Sequence, residues 1–161
     1  MRRIGFLGKG HFANCYKLQC ANGAVIAGKY VARKKMTGKV ALLLRDEIII
    51  HRALSHEHVC RFHDFLEREK HVVILLEYCP GGTLLASVRP VCRATSAQRW
   101  TWVHQIASGI AYIHACGWLH RDLKLANILL SASSAVKISD FGFAARGPRV
   151  TGRVGTPNYI A

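Results

Sequence analysis

Asp122 and Asp140 are the only acidic residues in the last 84 positions of this 161-residue chain, a stretch that carries nine Lys or Arg residues. Asp122 lies in His120-Arg121-Asp122-Leu123-Lys124-Leu125-Ala126-Asn127, and Asp140 opens Asp140-Phe141-Gly142. Surface carboxylates exchange readily for Asn or Gln, whereas a catalytic base and a magnesium ligand need their charge. The chemistry that suits such a pair is phosphoryl transfer, in which one carboxylate accepts a hydroxyl proton and the other holds a metal against phosphate oxygens. Spacing sharpens the reading. Asn127 falls five residues after Asp122 and Asp140 thirteen after Asn127, the order and interval of H-R-D-x-x-x-x-N ahead of D-F-G.

Residues that could face the phosphates lie near the start. Gly8-Lys9-Gly10-His11-Phe12-Ala13-Asn14-Cys15 has the composition of a glycine-rich phosphate-covering loop, with Ala13 in place of a third glycine. Glycines let backbone amides approach phosphate oxygens where larger side chains would stand in the way. A hairpin rather than a helix follows the loop, which sets a dinucleotide fold aside. Lys29, in Ala27-Gly28-Lys29, could neutralise phosphates if a carboxylate held it. Glu47 is the natural partner, because it shares a helix face with Leu43, Leu44 and His51, and an unpaired carboxylate there would be costly. Asp46 points about 100° away around the helix.

These residues need elements to position them. Residues 15–20 and 24–31 read as strands joined at Asn22-Gly23, whose two positions both tolerate positive φ. Residues 40–54 read as a helix with Val40, Leu43, Leu44, Glu47, Ile48, His51 and Leu54 on one face. Two further strands are predicted around 61–66 and 71–76. The breaker cluster Cys79-Pro80-Gly81-Gly82 marks a hinge. Beyond it, Thr95 with Gln98 fits a capping box. Trp100, Val103, Ile106, Ala107, Ile110 and Ile113 form an apolar stripe expected to face the core, and Gly117 ends that helix. Ile128-Leu129-Leu130 and Val136-Lys137-Ile138 then read as a short hairpin delivering both acidic motifs to one edge of a cleft.

Composition bounds the remaining classes. Half the residues are hydrophobic, as in a globular chain, and the length suits one domain. No apolar run approaches the roughly 18 residues of a membrane span, and the start lacks a signal-length apolar stretch. An intracellular protein, cytoplasmic or nuclear, with no membrane partner is the expectation. The net charge of +14 suits acidic targets, a solvated basic surface, or a basic piece of a longer protein. Arg33-Lys34-Lys35 is the one dense basic cluster and has no interleaved aromatic residues, which argues against a nucleic-acid module. The six cysteines, Cys15, Cys20, Cys60, Cys79, Cys92 and Cys116, form no C-x-x-C and fit reduced thiols. His56-Glu57-His58 with His63 has metal-ligand residue types, but a loop after a helix accounts for them equally well.

Taken with the two acidic motifs, Phe6-Leu7-Gly8-Lys9-Gly10-His11-Phe12-Ala13-Asn14-Cys15-Tyr16, Ala27-Gly28-Lys29, Glu47-Ile48-Ile49-Ile50-His51-Arg52 and Gly155-Thr156-Pro157-Asn158-Tyr159-Ile160-Ala161 resemble the catalytic domain of a polo-like serine/threonine protein kinase. NIMA-related and Aurora-like kinases are the neighbouring branches. The resemblance implies a bilobal α+β fold. Residues 1–79 would form a complete N-lobe of five antiparallel strands and one helix, and 80–161 the hinge and a partial helical C-lobe. It implies ATP and Mg2+ as cofactors and protein Ser/Thr hydroxyls as acceptors. Leu7, Cys15, Ala27 and Leu129 would sandwich the adenine beneath the loop of Gly8, Lys9, Gly10, His11, Phe12 and Ala13. The backbone at Glu77 and Cys79 would bind the adenine edge, beside Leu76 as gatekeeper. Lys29, held by Glu47, would bind the α- and β-phosphates. Asp122 would be the base, Lys124 would offset phosphoryl charge, and Asn127 and Asp140 would hold magnesium. His51, His120 and Phe141 would stack between the lobes, which makes His120 a packing residue.

The same resemblance marks departures. Twelve residues separate Gly142 from Gly155, about four fewer than the polo-like pattern. Gly152 occupies the usual activating-threonine position, with Thr151 one residue away and able to meet Arg121 if phosphorylated. The resemblance further implies a domain continuing past Ala161 and a polo-box region, so the chain reads as a fragment truncated after the activation segment. A nucleotide-binding fragment or pseudokinase acting as a binding module is therefore the alternative to an active enzyme. Intact Lys29, Asp122, Asn127 and Asp140 argue against a basic interaction protein that does without ATP. Substrate and oligomeric state are not legible in the chain.

Overall fold

A computed structural model describes residues 1–10, 12–88, 94–147 and 155–156. Five strands, β1 (Arg2–Lys9), β2 (Ala13–Gln19), β3 (Val25–Ala32), β4 (Phe62–Glu67) and β5 (His71–Glu77), make one antiparallel sheet in the order β1-β2-β3-β5-β4. Helix α1 (Gly38–Ala53) enters between β3 and β4. Leu44 of α1 packs with Ala13, Val31, Val72 and Ile74 of the sheet. Strand alternation explains why Lys29 shares this face, because it stands two residues before Val31. Gly28 turns to the opposite face, where a Cβ would come within 2.6 Å of Leu18 Cδ1.

The β2–β3 connection departs from the two-residue turn expected at Asn22-Gly23. Cys20 N–H donates to Ala24 O, Gly23 N–H donates to Cys20 O, and Asn22 Oδ1 accepts from Ala24 N. Only Gly23 has positive φ, at 81°. The loop is thus longer by a bulge, and Asn22 serves it through its side chain rather than through left-handed backbone.

Past β5 the chain is clamped. Gly81 N–H donates to Leu130 O and Leu130 N–H to Gly82 O. A short helix, α2 (Leu84–Ser87), follows, capped by Thr83 Oγ1. Helix α3 (Ser96–Ala115) begins where Thr95 Oγ1 accepts from Gln98 N, and it closes at Gly117, which has φ 79°. The apolar stripe expected on this helix faces the core only in part. Trp102, Gly109 and Ile113 are buried, with Ile106 and Ile110 packed beside them, while Trp100 and Val103 are 67% and 53% exposed. Two contacts rotate the helix this way: Trp102 Nε1 donates to Ser134 O, and Gly109 admits Ile138 and the His58 backbone.

Strands β6 (Trp118–Leu119) and β9 (Ala145–Arg146) pair with each other, as do β7 (Ile128–Leu130) and β8 (Val136–Ile138). The β7–β8 hairpin lies where the sequence predicts it. Ile50, Leu54, Val59, Trp102, Ile113, Ile138 and Phe141 belong to a single buried cluster that runs from α1 to α3 through this hairpin. No helix among the described residues is long and apolar enough to cross a membrane.

The clamp at Gly81 has a steric test. A Cβ there would sit 2.7 Å from Leu130 Cβ and 2.9 Å from Leu130 O, whereas one at Gly38 would meet nothing within 4 Å. Gly81→Ala is expected to lower stability by about 1–3 kcal/mol. Gly38→Ala should leave it unchanged or slightly raised, with urea midpoints as the measurement.

Candidate functional site

Three elements converge on one cation. Lys29 Nζ, from β3, lies 2.6 Å from Glu47 Oε1 of α1 and 2.8 Å from Asp140 Oδ1 after β8. The Lys29 side chain is 17% exposed, Glu47 is 6% and Asp140 is 47%. Desolvation acts to lower the Lys29 pKa, but the two carboxylates outweigh it and hold the amine protonated, well above its ordinary value. Burial raises the Glu47 carboxyl, with Lys29 opposing the rise. Asp140 is lowered: burial works against ionisation, and the Lys29 ammonium prevails. Asp46, on the other side of α1, is 55% exposed.

A third carboxylate is fully engaged. Asp122 Oδ2 accepts from Lys124 Nζ at 2.7 Å and from Asn127 Nδ2 at 2.9 Å, and Oδ1 accepts from Thr156 Oγ1 at 2.7 Å. Lys124 also donates to Thr156 Oγ1 at 2.5 Å. Burial would raise the Asp122 carboxyl, but the bonds from Lys124, Thr156 and Asn127 bring it below the ordinary value. Asn127 Nδ2 also donates to Asp122 O. With its nitrogen committed to Asp122, the Asn127 amide presents Oδ1 as its remaining polar atom.

Both motifs carry left-handed backbone. Arg121 has φ 62° and Asp140 φ 66°, positions that cost a non-glycine residue about 1–3 kcal/mol each and persist only where the surroundings impose them. Arg121 Nε donates to Phe143 O at 2.6 Å, which ties one motif to the other. Between them the Phe141 ring lies 4.7 Å from the His51 ring and 5.0 Å from His120. His120 Nε2 bonds Ser139 O. Burial lowers the His120 pKa, so the ring is a neutral packing group.

The remaining expected residues surround this centre. Gly8 pairs with Cys15 and Lys9 with Asn14 across β1 and β2, and Gly10 N–H donates to Ala13 O. His11, Thr151 and Gly152 lie outside the described residues. A cavity of about 90 Å3 under the loop is lined by Phe12, Lys29, Glu47, Asp140, Gly142 and Phe143 among others. It adjoins the ionic centre, and Leu7, Cys15, Ala27 and Leu129 do not line it. Cys15 faces Lys29 across the β2–β3 ladder, Ala27 faces Leu76 across β3–β5, and Leu129 bridges to Thr83 after the hinge. Glu77 binds through its side chain as well, to Lys137 Nζ at 2.9 Å and Arg61 N at 3.1 Å. Cys79 is buried.

Sequence reasoning did not single out Thr156, Phe143 or the Lys137–Glu77 pair. Thr156 stands between Gly155 and Pro157 with no helical or strand register to mark it, so its bond to Asp122, 34 positions away, had no local signal. His56 stacks on Tyr112 and His58 Nδ1 lies 3.3 Å from Val136 O. Those two imidazoles are thus used in packing. Among the described residues no group of three or more His, Cys, Asp or Glu side chains could hold a metal. Asn127 and Asp140 instead offer two hard oxygen donors, a set that suits Mg2+ because that ion takes few protein ligands and completes its shell with phosphate and water.

The protein kinase domain model matches residues 1–161. The chain is 38% identical over 161 residues to the cell cycle serine/threonine-protein kinase CDC5/MSD2 of Saccharomyces cerevisiae, covering 97% of this chain and 23% of that protein. It is 37% identical over 170 residues to the serine/threonine-protein kinase polo of Drosophila melanogaster, covering 99% and 29%. It is 35% identical over 161 residues to the serine/threonine-protein kinase PLK2 of Mus musculus, covering 96% and 24%. The chain belongs to the protein kinase family, with polo-like serine/threonine kinases among its relatives, and it spans about a quarter of those relatives' length.

His51 yields a pH prediction. Burial pushes its pKa down to about 4 from an ordinary 6.5, against its bond to Cys60 O. The folded state therefore refuses a proton that the unfolded chain accepts below pH 6.5, and stability falls as pH drops from 6.5 to 4. The loss is on the order of 3 kcal/mol. Urea midpoints across this range should show a shallower slope in His51→Leu, with His120 adding to what remains and Glu47 opposing it. An unchanged slope would reject the assignment.

Proposed function

We propose that this chain carries the catalytic centre of an ATP-dependent protein serine/threonine kinase of polo-like type, transferring the γ-phosphoryl group of Mg-ATP to Ser or Thr hydroxyls. One observation carries the reading: a buried lysine bridges two carboxylates from separate elements, beside an aspartate held by a lysine, an asparagine and a threonine. Residues 1–79 would cover the nucleotide, and the hinge and following segment would supply the catalytic residues.

Each role follows from placement. Lys29, oriented by Glu47, would bind the α- and β-phosphates. Asn127 and Asp140 would hold Mg2+, which supplies charge neutralisation between the phosphates when bound. Asp122, kept ionised, would accept the substrate hydroxyl proton, and Lys124 would offset charge on the transferred group. Leu7, Cys15, Ala27 and Leu129 would enclose the adenine, whose edge would meet the Glu77 and Cys79 backbone beneath Gly8, Lys9, Gly10, His11, Phe12 and Ala13. The net charge of +14 favours acidic protein substrates, without nucleic acid or membrane as partner, inside the cell.

Two measurements test this. Excess Mg-ATP at about 100 times its Kd should stabilise the fold by about 2.7 kcal/mol, raising Tm by roughly 5–10 °C. Radiolabel transfer to casein should fall about 10²–10⁴-fold in Asp122→Asn and vanish in Lys29→Met, which also loses stability because Glu47 is left buried without its partner. Thermal stabilisation without any transfer would leave a nucleotide-binding module. Absence of both responses would reject the proposal.

A further inference from the structure

Cys60 sits two residues before β4, and Cys79 sits two residues after β5 at the hinge. Antiparallel pairing of these strands brings their outer ends together: Glu77 N–H donates to Arg61 O, and the Cys60 thiol lies 3.7 Å from Glu77 O. The Cys60 thiol donates toward Glu77 O, two residues before Cys79, so the pairing of the strand ends sets the two thiols beside each other. Neither belongs to a C-x-x-C, and Cys15, Cys20 and Cys116 lie elsewhere, on β2, before the β2–β3 turn and after α3. We propose that Cys60 and Cys79 form an oxidation site, which a peroxide converts to an intrachain disulfide joining the segment before β4 to the hinge.

The pair is asymmetric in a way that sets the order of events. Cys60 is fully buried and Cys79 is 8% exposed, so peroxide reaches Cys79 first. The neighbouring Cys60 lowers the Cys79 thiol against the desolvation that would raise it, while Cys79 and burial raise Cys60 well above its ordinary value. The Cys79 thiolate attacks the peroxide, breaking its O–O bond to give a sulfenic acid and hydroxide. Cys60 then displaces hydroxide from that sulfur, losing its own proton, and the S–S bond forms. Overall, two thiols are oxidised, one peroxide is reduced, and two waters leave.

The bond has a consequence for nucleotide binding, which rests on the function proposed above. A disulfide draws the sulfurs to about 2.0 Å, closer than any non-bonded contact. Cys60 N–H is fixed to Ile138 O at 2.8 Å, so Cys79 must give way, shifting the hinge backbone that would bind the adenine edge.

The experiment uses the chain with Cys92→Ser, so that the 71–93 tryptic peptide carries one cysteine. Reduced protein is treated with hydrogen peroxide, alkylated, and digested without reductant. The expected product is a covalent pair of peptides 53–61 and 71–93, lighter by two hydrogen atoms and separated by dithiothreitol. It should be absent in Cys60→Val and in Cys60→Ser. Cys79 found only as sulfenic or sulfinic acid, or linked to another cysteine, overturns the proposal. Mg-ATP affinity is measured before and after oxidation, and oxidation should weaken it at least about tenfold, the worth of one hydrogen bond, with Cys60→Val unaffected. A disulfide with unchanged affinity overturns the hinge coupling alone. Reduced protein that fails to bind Mg-ATP counts against the nucleotide reading, and the peptide map still decides the oxidation site.

Discussion

A single ammonium, Lys29, holds the described structure to one geometry at its centre. Carried by a strand of the sheet, it fixes α1 through Glu47 and the segment after β8 through Asp140. A buried charge without a partner costs several kcal/mol, so each carboxylate depends on the same amine. Loss of the amine would strand Glu47 on a face otherwise occupied by Leu44 and His51. The partial exposure of Asp140 matters equally. It leaves that carboxylate partly open to solvent while it holds the lysine.

The ionic centre is backed by an aromatic one. His51 lies four residues beyond Glu47, which is one helical turn, so fixing Glu47 also fixes the ring that meets Phe141. Phe141 follows Asp140 directly and meets His120, two residues before Asp122. Movement of α1 would therefore disturb the lysine pair, the ring stack and the strained backbone at Asp140 together. The stack is polar at its upper end: His51 Nε2 bonds Cys60 O at 2.6 Å, and its Nδ1 is buried without a partner. A neutral imidazole with Nε2–H donating is the form this arrangement accepts, and burial accounts for its low pKa.

Much of this was legible from spacing. The Asp122-to-Asn127 interval and the Asp140 triplet mark two motifs that the structure ties together through the Arg121–Phe143 and Ser139–Asn127 bonds, and helical register distinguished Glu47 from Asp46. The positions of β2 to β5 and of α1 follow from periodicity to within two or three residues, whereas β1 was implied only by the resemblance. What escaped is non-local. The Asn22-Gly23 connection took a bulged loop because only Gly23 needed left-handed backbone. Helix α3 carries apolar residues on more than one face, and periodicity alone cannot decide between Trp100 and Trp102. The indole reaching Ser134 and the missing side chain at Gly109 decide it. Thr156 reaches Asp122 across 34 positions, and no pattern within a window of residues contains that contact.

That contact changes how the Asp122 centre is understood. A carboxylate that accepts from Asn127, Lys124 and Thr156 has its rotation blocked from both oxygens, so the protein alone sets its orientation. In the transfer proposed above, preorganisation of this kind would remove a reorganisation cost. The left-handed backbone at Arg121 belongs to the same arrangement, since it aims the guanidinium at Phe143 O and fixes the Phe141–Phe143 turn relative to Asp122. Strain in the two acidic motifs is therefore coupled: the residue preceding one aspartate restrains the turn that follows the other. A centre built this way tolerates little independent motion in either motif, which explains why its few carboxylates are so closely held in a segment otherwise rich in positive charge.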